Sequence, residues 1–417
     1  MADNLIQRAQ ILIQQNRYEE AGHLLRNILS QDPNNIFVLA MLSQVKLQQD
    51  DTKEAEELID SAIGLSPDTA YLFYIKASIA IRKNKYDEAE KNLQTAVAID
   101  PDEADFFALW ASVKLTRKQY EKALELADEA LQRDPENILG LNIRSTALLK
   151  LNRKEDSFST IEGALAQDPN NAYTHSNYGW GLLEKGDHKK ALEHFREALK
   201  NNPNSQHAQS GMAQALKAKY ILYRLFLKYA FFMGNLSKKN QWGLIIGFYL
   251  ATRLLNFIVE SYKSLQPILI PFMVLIALFA FSTWIITPVS NLFLRLNPYG
   301  KYLLNKKEIW SSNFVGASLL LCIIGIILYS LFSNPNWLLV AVFGFAMMVP
   351  LGSMFSDSTR NSKLVIYSGV MFILGVLGII QAFITSDPLN IFSILFLIGF
   401  VAFQWIANFM RIKQSNV

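Results

Sequence analysis

Histidine and cysteine, the residues most often used in catalysis and metal binding, are scarce in this chain of 417 residues. The five histidines all lie before residue 208, and Cys322 is the only cysteine. His188 and His194 are six residues apart on one expected helix, which is the wrong spacing for a shared metal site. There is also no Gly-rich phosphate loop and no G-x-S-x-G elbow. We therefore expect no enzyme activity, no cofactor and no bound metal.

Arg253 is a charged residue inside an apolar run. A charge at the centre of a membrane helix costs about 2.5–3.5 kcal/mol on insertion scales. Asn256 and Glu260 follow on roughly the same helical face, so the three could form an internal pair that fixes helix packing. The alternative is a path for an anion or a proton. The internal pair is favoured, because no other apolar run carries a charge at comparable depth.

A basic helical face is formed by Lys217, Arg224 and Lys228, which are spaced by seven and four residues. Aromatic and aliphatic side chains fill the rest of this stretch. Such a helix is typical of the lipid-headgroup plane, where each basic residue contributes roughly 1 kcal/mol near an anionic leaflet. A helix that caps the preceding repeat is the alternative, and both roles are compatible in succession.

The elements that hold these residues follow a period of 34 in the first half of the chain. The phrase QDPNN occurs at 31–35 and again at 167–171. Prolines recur at every step: Pro33, Pro67, Pro101, Pro135, Pro169 and Pro203. Proline cannot continue a helix interior and biases the preceding residue away from helix. The spacing therefore predicts six helical hairpins over 2–35, 36–69, 70–103, 104–137, 138–171 and 172–205.

Small residues keep the same period where the two helices of a hairpin must approach closely. One column contains Ala9, Ser43, Ala77, Ala111, Ser145 and Gly179, and another contains Ala21, Ala55, Ala89, Ala123, Ser157 and Ala191. On these columns and the prolines, residues 1–205 resemble the tetratricopeptide repeat. The resemblance implies an all-α solenoid of six helix-turn-helix repeats, in which the first helices line a concave groove. The family's usual Gly is retained only in the sixth unit.

The resemblance places aromatic, small and hydroxyl-bearing side chains in the groove. The candidate partner-binding residues are Phe37, Gln44, Tyr71, Tyr74, Ser78, Ser112, Asn142, Thr146, Tyr173, Asn177 and Trp180. Family members that bind chaperone tails use a Lys/Asn carboxylate clamp, but here only Arg82 and Lys150 lie near the matching positions. An apolar or amphipathic helix, or an extended segment, is therefore the expected ligand. Alternatively, some of the aromatic residues pack on neighbouring helices.

The two halves of the chain differ sharply in charge. Residues 1–216 contain 24 Lys and Arg against 32 Asp and Glu, whereas residues 217–417 contain 16 against 4. The acidic first half makes nucleic acid an unlikely partner. The second half is too apolar for an ordinary soluble surface. Six apolar runs there are long enough to span a bilayer as helices: 242–259, 268–289, 313–332, 336–355, 364–386 and 389–410.

The charges between these runs indicate an orientation. Alternate connections carry fourteen Lys and Arg on one side and only Lys263 on the other. We therefore expect a multi-pass protein of the cell (inner) membrane with both termini in the cytoplasm. The whole chain also resembles a functionally uncharacterised family of bacterial membrane proteins with N-terminal tetratricopeptide repeats, on the stretches ALKAKYILYRLFLKYAFFMG at 215–234 and PVSNLFLRLNPYGKYLLNKKEI at 288–309.

These observations predict a repeat domain at 1–205, a juxtamembrane helical linker at 206–240 and a six-helix transmembrane bundle at 241–417. The favoured function is a membrane-anchored scaffold or adaptor that binds a protein or peptide in its groove and contacts the lipid bilayer. A transporter or channel with a cytoplasmic regulatory solenoid is the alternative, and a membrane enzyme is a more distant one. The sequence does not set an oligomeric state.

Overall fold

The computed structural model describes residues 2–236, 238–295, 300–355 and 361–414, and every regular element among them is helical. The chain divides into two compact units, Met1–Asn177 and Tyr178–Val417. The division falls inside one helix, in the sixth predicted repeat. The predicted all-α class is confirmed, and each unit is described separately below.

The first unit consists of successive helical hairpins. Its helices are α1 (Ala2–Gln14), α2 (Tyr18–Gln31), α3 (Ile36–Gln48), α4 (Thr52–Leu65), α5 (Ala70–Arg82), α6 (Tyr86–Ile99), α7 (Ala104–Thr116), α8 (Tyr120–Arg133), α9 (Ile138–Lys150) and α10 (Lys154–Gln167), followed by α11 (Ala172–Lys185), which crosses the boundary between the units. The elements recur every 34 residues, as the proline spacing predicts.

In both copies of the sequence QDPNN, the last asparagine caps the start of the helix that follows. The side chain of Asn35 accepts a hydrogen bond from the backbone N–H of Val38 at 3.1 Å and donates one to Asp32 at 3.1 Å. Asn171 makes the equivalent bonds to Thr174 (2.9 Å) and Asp168 (3.0 Å). Each asparagine satisfies one of the N–H groups that a helix start leaves unpaired.

The turn inside each hairpin contains one residue in the left-handed region. These residues recur every 34 positions and have φ between 57° and 99°: Asn16, Asp50, Asn84, Lys118, Asn152 and Gly186. Glycine tolerates this conformation because it has no Cβ to crowd the carbonyl oxygen, and Asn and Asp tolerate it because their short polar side chains can hydrogen-bond locally. Lys118 is the one residue of the column that lacks this tolerance.

The small-residue columns lie where the helices meet, and their side chains are buried. Where serine replaces glycine or alanine, its hydroxyl bonds across the hairpin. Ser43 donates to the carbonyl of Ala55 at 2.8 Å. Ser145 and Ser157 each donate to the other's backbone carbonyl, at 2.9 and 2.7 Å. The substitution therefore keeps the close approach and adds a buried, satisfied hydrogen bond.

The second unit contains the end of the repeats and the apolar half of the chain. After α11 come α12 (His188–Asn201), α13 (Gln206–Lys217), α14 (Ile221–Asn235), α15 (Lys238–Ser261), α16 (Gln266–Leu294), α17 (Lys306–Phe332), α18 (Pro335–Ser353), α19 (Asn361–Thr385) and α20 (Ile391–Gln414). Short 3-10 helices occupy Lys263–Leu265 and Gly300–Leu303. Each of the six apolar runs identified in the sequence is helical.

Five of these helices are long and apolar enough to cross a membrane, namely α15 to α19. The described apolar stretch of α20, Ile391–Ala407, is shorter. α17 and α18 form a closely packed pair, in which a Cβ on Gly344 would lie only 2.6 Å from the backbone nitrogen of Cys322. Glycine is therefore required there for the two backbones to approach.

Within the linker predicted at 206–240, α13 and α14 are separated by a break at residues 218–220, and α15 begins at residue 238. α13 continues the repeat stacking by packing on α12. Phe195 of α12 is fully buried, and a Cβ on Gly211 of α13 or on Gly179 would overlap its ring. α13 therefore covers the apolar end of the sixth repeat, and α14 follows as a separate element.

Candidate protein-binding groove

Exposed aromatic rings form one column on the first helices of the repeats. Phe37 on α3, Tyr71 on α5 and Tyr173 on α11 are 52%, 47% and 48% exposed and occupy the same position of their repeats. Exposed aromatic rings are well suited to binding a partner, because they combine a large contact area with few rotatable bonds. These three predicted groove residues are available to a partner.

The column continues into a network between neighbouring repeats. The amide of Gln44 on α3 donates to the hydroxyl of Tyr71 at 2.8 Å. The Tyr71 ring stacks on Tyr74 at 5.7 Å between centroids, and Tyr74 lies 5.6 Å from Phe106 of α7. Burial, together with the nearby carboxylate of Asp105, raises the pKa of Tyr74 to about 12. The tyrosine therefore stays neutral, and the network holds the exposed ring of Tyr71 in a fixed orientation.

The predicted groove hydroxyls bond to their own helices. Ser78 donates to the carbonyl of Tyr74 at 3.0 Å, Ser112 to that of Leu109 at 2.6 Å, and Thr146 to that of Asn142 at 2.9 Å. Each hydroxyl donor is thereby used, but a hydroxyl oxygen keeps acceptor capacity. These half-buried side chains can accept hydrogen bonds from a ligand more readily than they can donate them.

Two predicted groove asparagines, Asn142 and Asn177, hydrogen-bond to each other between adjacent repeats. Asn142 is fully buried and donates to Thr174 at 2.9 Å and to the carbonyl of Ile138 at 2.8 Å. Its amide oxygen accepts from Asn177 at 2.8 Å. The sequence interpretation of Asn142 as a ligand-binding side chain is therefore wrong, since the amide is occupied by these contacts.

One charged residue in the column was missed by sequence reasoning. Asp105 is exposed and occupies the position equivalent to Tyr71 in the next repeat. Its carboxylate accepts from the side chain of Asn137 at 2.7 Å. The 34-residue spacing from Tyr71 was a signal that could have revealed it. The column therefore carries a local negative charge among its aromatic rings.

Trp180, the last predicted groove residue, belongs to the second unit and packs within it. Its indole N–H donates to the carbonyl of His207 at 3.2 Å. Its ring contacts Phe195 at 5.9 Å and Phe231 of α14 at 6.4 Å. These contacts fix the end of the repeats and correspond to the packing alternative considered from the sequence.

The basic face of the linker is divided between buried and exposed positions. Lys217, the last residue of α13, is only 2% exposed, and its ammonium lies 5.8 Å from the ring centroid of Tyr223. Burial lowers its pKa to about 8, against a smaller raising effect of Glu308. A buried ammonium does not reach lipid headgroups, so the interpretation of Lys217 as a headgroup contact is wrong.

Arg224 and Lys228 of α14 do lie at a basic pocket. The pocket has a volume of about 290 Å³, and Lys185 and His188 contribute to the same wall. Burial, and then the positive charge of Arg224, lowers the pKa of His188. Positive side chains of this kind favour an anionic group such as a phosphate.

The intramembrane candidates are exposed along α15. Arg253, Asn256 and Glu260 all lie on its accessible surface. The guanidinium of Arg253 is 6.0 Å from the ring centroid of Tyr249. Among the described residues of α15 no ion pair joins Arg253 to Glu260, so the expected internal pair is not formed. A cation–π contact of about 0.5–1 kcal/mol is present instead.

No group of three potential metal-binding side chains occurs among the described residues. Models of the tetratricopeptide repeat match residues 12–79, 70–103, 108–172 and 172–205. A search of curated proteins finds no match.

Several solved structures are similar to the chain. YrrB, described as a TPR protein with an unusual peptide-binding site, is 18% identical, with 45% of this chain and 96% of that chain covered and a TM-score of 0.32. A tetratricopeptide repeat protein from Parabacteroides merdae is 15% identical (52% and 84% covered, TM-score 0.46). PilF of Pseudomonas aeruginosa is 20% identical (51% and 97% covered, TM-score 0.41). From the family matches and the repeated hairpins, the N-terminal half of this chain is a tetratricopeptide-repeat domain.

Proposed function

We propose that this protein is a membrane-anchored adaptor that binds a protein partner along the first helices of its repeats. The observation that carries the proposal is the exposed, largely uncharged column of Phe37, Tyr71 and Tyr173. Solenoid repeats commonly bind partners on such extended surfaces.

The chemistry of the column favours one class of ligand. The aromatic rings of the column suit apolar side chains, and the neighbouring hydroxyl oxygens of Ser78, Ser112 and Thr146 can accept hydrogen bonds. The Asp105 carboxylate suits a Lys or Arg on the ligand. An amphipathic helix or an extended segment with apolar anchors and one basic residue combines these features.

Membrane anchoring is supported by composition and helix length. Each of the five long apolar helices is longer than the apolar helices of about 10–14 residues that are typical of a buried soluble core. The excess of Lys and Arg on alternate connections supports a cytoplasmic position for the repeats and the C-terminus, in an inner membrane. The exposed apolar side chains of α14, with Arg224 and Lys228, suit a position at the lipid surface.

Arg253 gives no support to the alternative of a transporter or channel. A large cavity exists in the second unit, but Arg253 does not line it among the described residues. A transport path needs several polar groups that converge at mid-membrane depth. The adaptor therefore remains the better supported function.

Photocrosslinking in intact cells tests the groove directly. A photoreactive amino acid at Tyr71 should capture a specific protein, identified by mass spectrometry. Removing the rings with Phe37→Ala and Tyr71→Ala should reduce recovery of that protein at least tenfold, as expected for aromatic hot spots.

The matched control is Leu65→Ala with Ile99→Ala. Both are exposed apolar residues, 34 apart, on the second helices α4 and α6. Equal loss of the partner in the control pair, or no loss in the groove pair, would refute the groove assignment.

Protease access tests the topology separately. We expect the repeats to resist a protease added outside sealed cells and to be digested in inverted vesicles. Digestion in sealed cells would place the repeats outside and overturn the proposed orientation. Recovery of the intact chain in the soluble fraction would overturn the anchoring itself.

A further inference from the structure

A cavity of about 1150 Å³ lies among α14, α15, α16, α17, α18 and α20. It exceeds the 300–1,000 Å³ of most small-molecule pockets. Most of its lining is apolar or aromatic. A space of this size and character calls for a large, mainly hydrocarbon occupant.

The cavity is elongated along α16. It extends from Asn291 to Val274, which are 17 residues apart, so it spans about 25 Å at 1.5 Å per residue. One leaflet of hydrocarbon is about 15 Å thick. The cavity is therefore long enough for an acyl chain.

Polar residues concentrate at one end of the cavity. This end includes Asn291 near the end of α16 and Asn305, Lys307 and Glu308 at the start of α17. Elsewhere in the wall, the hydroxyls of Thr252 and Thr283 donate to carbonyls of their own helices, those of Tyr249 and Ala280, at 2.8 and 2.7 Å. The lining therefore matches an amphiphile with a polar head and an apolar tail.

Asn291 supplies the second, independent observation. This residue is 1% exposed, and its amide oxygen has no hydrogen-bond partner among the described residues. Buried polar side chains are normally paired, so an acceptor without a protein partner in a cavity wall is a place where a bound molecule can donate a hydrogen bond. A ligand with an O–H or N–H group would satisfy it.

The charges at the polar end point to the type of headgroup. Lys307 and Glu308 both line the cavity, one cationic and one anionic. A headgroup that carries a phosphate and an ammonium matches both. A purely anionic headgroup would pair with Lys307 but offer no cation to Glu308, and a quaternary ammonium offers no N–H to Asn291.

We propose that this cavity binds one bilayer glycerophospholipid with a primary-ammonium headgroup, as in phosphatidylethanolamine. The ammonium donates to Asn291 and pairs with Glu308, and the phosphate pairs with Lys307. The acyl chains lie along α16 towards Val274. This inference rests on the proposed membrane position of α15 to α20, but not on the groove.

Native mass spectrometry of the full chain in mild detergent tests the lipid site. We expect one bound phosphatidylethanolamine per chain. With matched acyl chains, phosphatidylethanolamine should bind about fivefold more tightly than phosphatidylcholine, the ratio that one net hydrogen bond supplies. Asn291→Leu should remove this preference while chain binding persists.

A cavity-filling variant provides the steric test. Ala277 lines the cavity, so Ala277→Phe should reduce lipid occupancy at least tenfold. Leu275→Phe is the control, since Leu275 lies on the same helix, is 65% exposed and is not a lining residue. Thermal unfolding of each variant confirms that the protein is folded.

Several results would overturn the inference: a lipid-free wild type, equal occupancy in Ala277→Phe, or a preference for phosphatidylglycerol. A photoreactive group at Ala277 that labels a polypeptide rather than lipid would also overturn it. These results are distinguishable from failure of the proposed function. If the chain is recovered in the membrane fraction but carries no lipid, only this inference is contradicted. If the chain is recovered in the soluble fraction, the membrane anchoring is contradicted.

Discussion

Replacing Lys217 with methionine should stabilise the second unit. Lys217 is a buried cation at the end of α13, and burial lowers the pKa of its ammonium from 10.5 to about 8. Each pH unit of difference corresponds to 1.36 kcal/mol, so the charged form is disfavoured by about 3 kcal/mol on folding. Methionine has a similar shape without the charge, and Lys217→Met should therefore recover about this amount at pH 7.

The stability of the second unit should increase with pH as the Lys217 ammonium loses its proton. Below about pH 8 the ammonium is charged in both the folded and the unfolded chain, so the full penalty is present. Between pH 8 and the unfolded pKa of 10.5 the folded chain releases its proton first, so stability rises with pH. Above pH 10.5 the penalty is absent. Lys217→Met should abolish this rise.

The prediction is tested by measuring the midpoint temperature of thermal unfolding of the purified full chain in detergent. A gain of about 3 kcal/mol raises the midpoint of a unit of this size by about 6–12 °C. Lys228→Met is the control, because Lys228 is exposed on α14 and its change should stay within about 0.5 kcal/mol. A lower midpoint for Lys217→Met would show that the ammonium stabilises the fold through Glu308 or the Tyr223 ring, and would refute the reasoning.

Three further substitutions test the repeat geometry. Lys118→Gly should raise stability by about 1 kcal/mol in thermal unfolding, because φ at this turn is 59° and glycine has no Cβ to strain. Gly211→Val should overpack the contact with Phe195 and reduce the free energy of unfolding by about 1–3 kcal/mol. The thermal midpoint should fall and protease sensitivity near α13 should rise, and an unaltered midpoint would contradict the close contact. Asn142→Leu should cost about 1–3 kcal/mol by leaving Asn177 unpaired, and adding Asn177→Leu should restore part of that loss in a double-mutant cycle.

The hairpins could be predicted because each of their causes is local. Proline and the small residues act within one repeat, so they recur at a fixed spacing in the sequence. Ser145 and Ser157 illustrate the limit, since the sequence indicates only that both are small. Their reciprocal bonds become evident only when the two helices are placed together.

The candidate groove was predicted less well because exposure depends on the neighbouring repeat. The exposed ring of Tyr71 follows from its position in the repeat, but Asn142 is buried by residues 32 and 35 positions away. Lys217 is similar, since a basic helical face does not indicate which of its residues another helix will cover. The lipid cavity depends on six helices, and no spacing along the chain encodes it.

The left-handed turn residue of each hairpin has a consequence for how this chain can change in length. In every hairpin the turn contains a left-handed residue at the same position, and each first helix begins 34 residues after the previous one. Gain or loss of a whole 34-residue module would preserve both junctions, whereas a change of one or two residues would rotate every later side chain off its helical face. Related proteins should therefore differ by complete 34-residue modules. The length of the repeat domain that contacts a binding partner should vary in steps of one module.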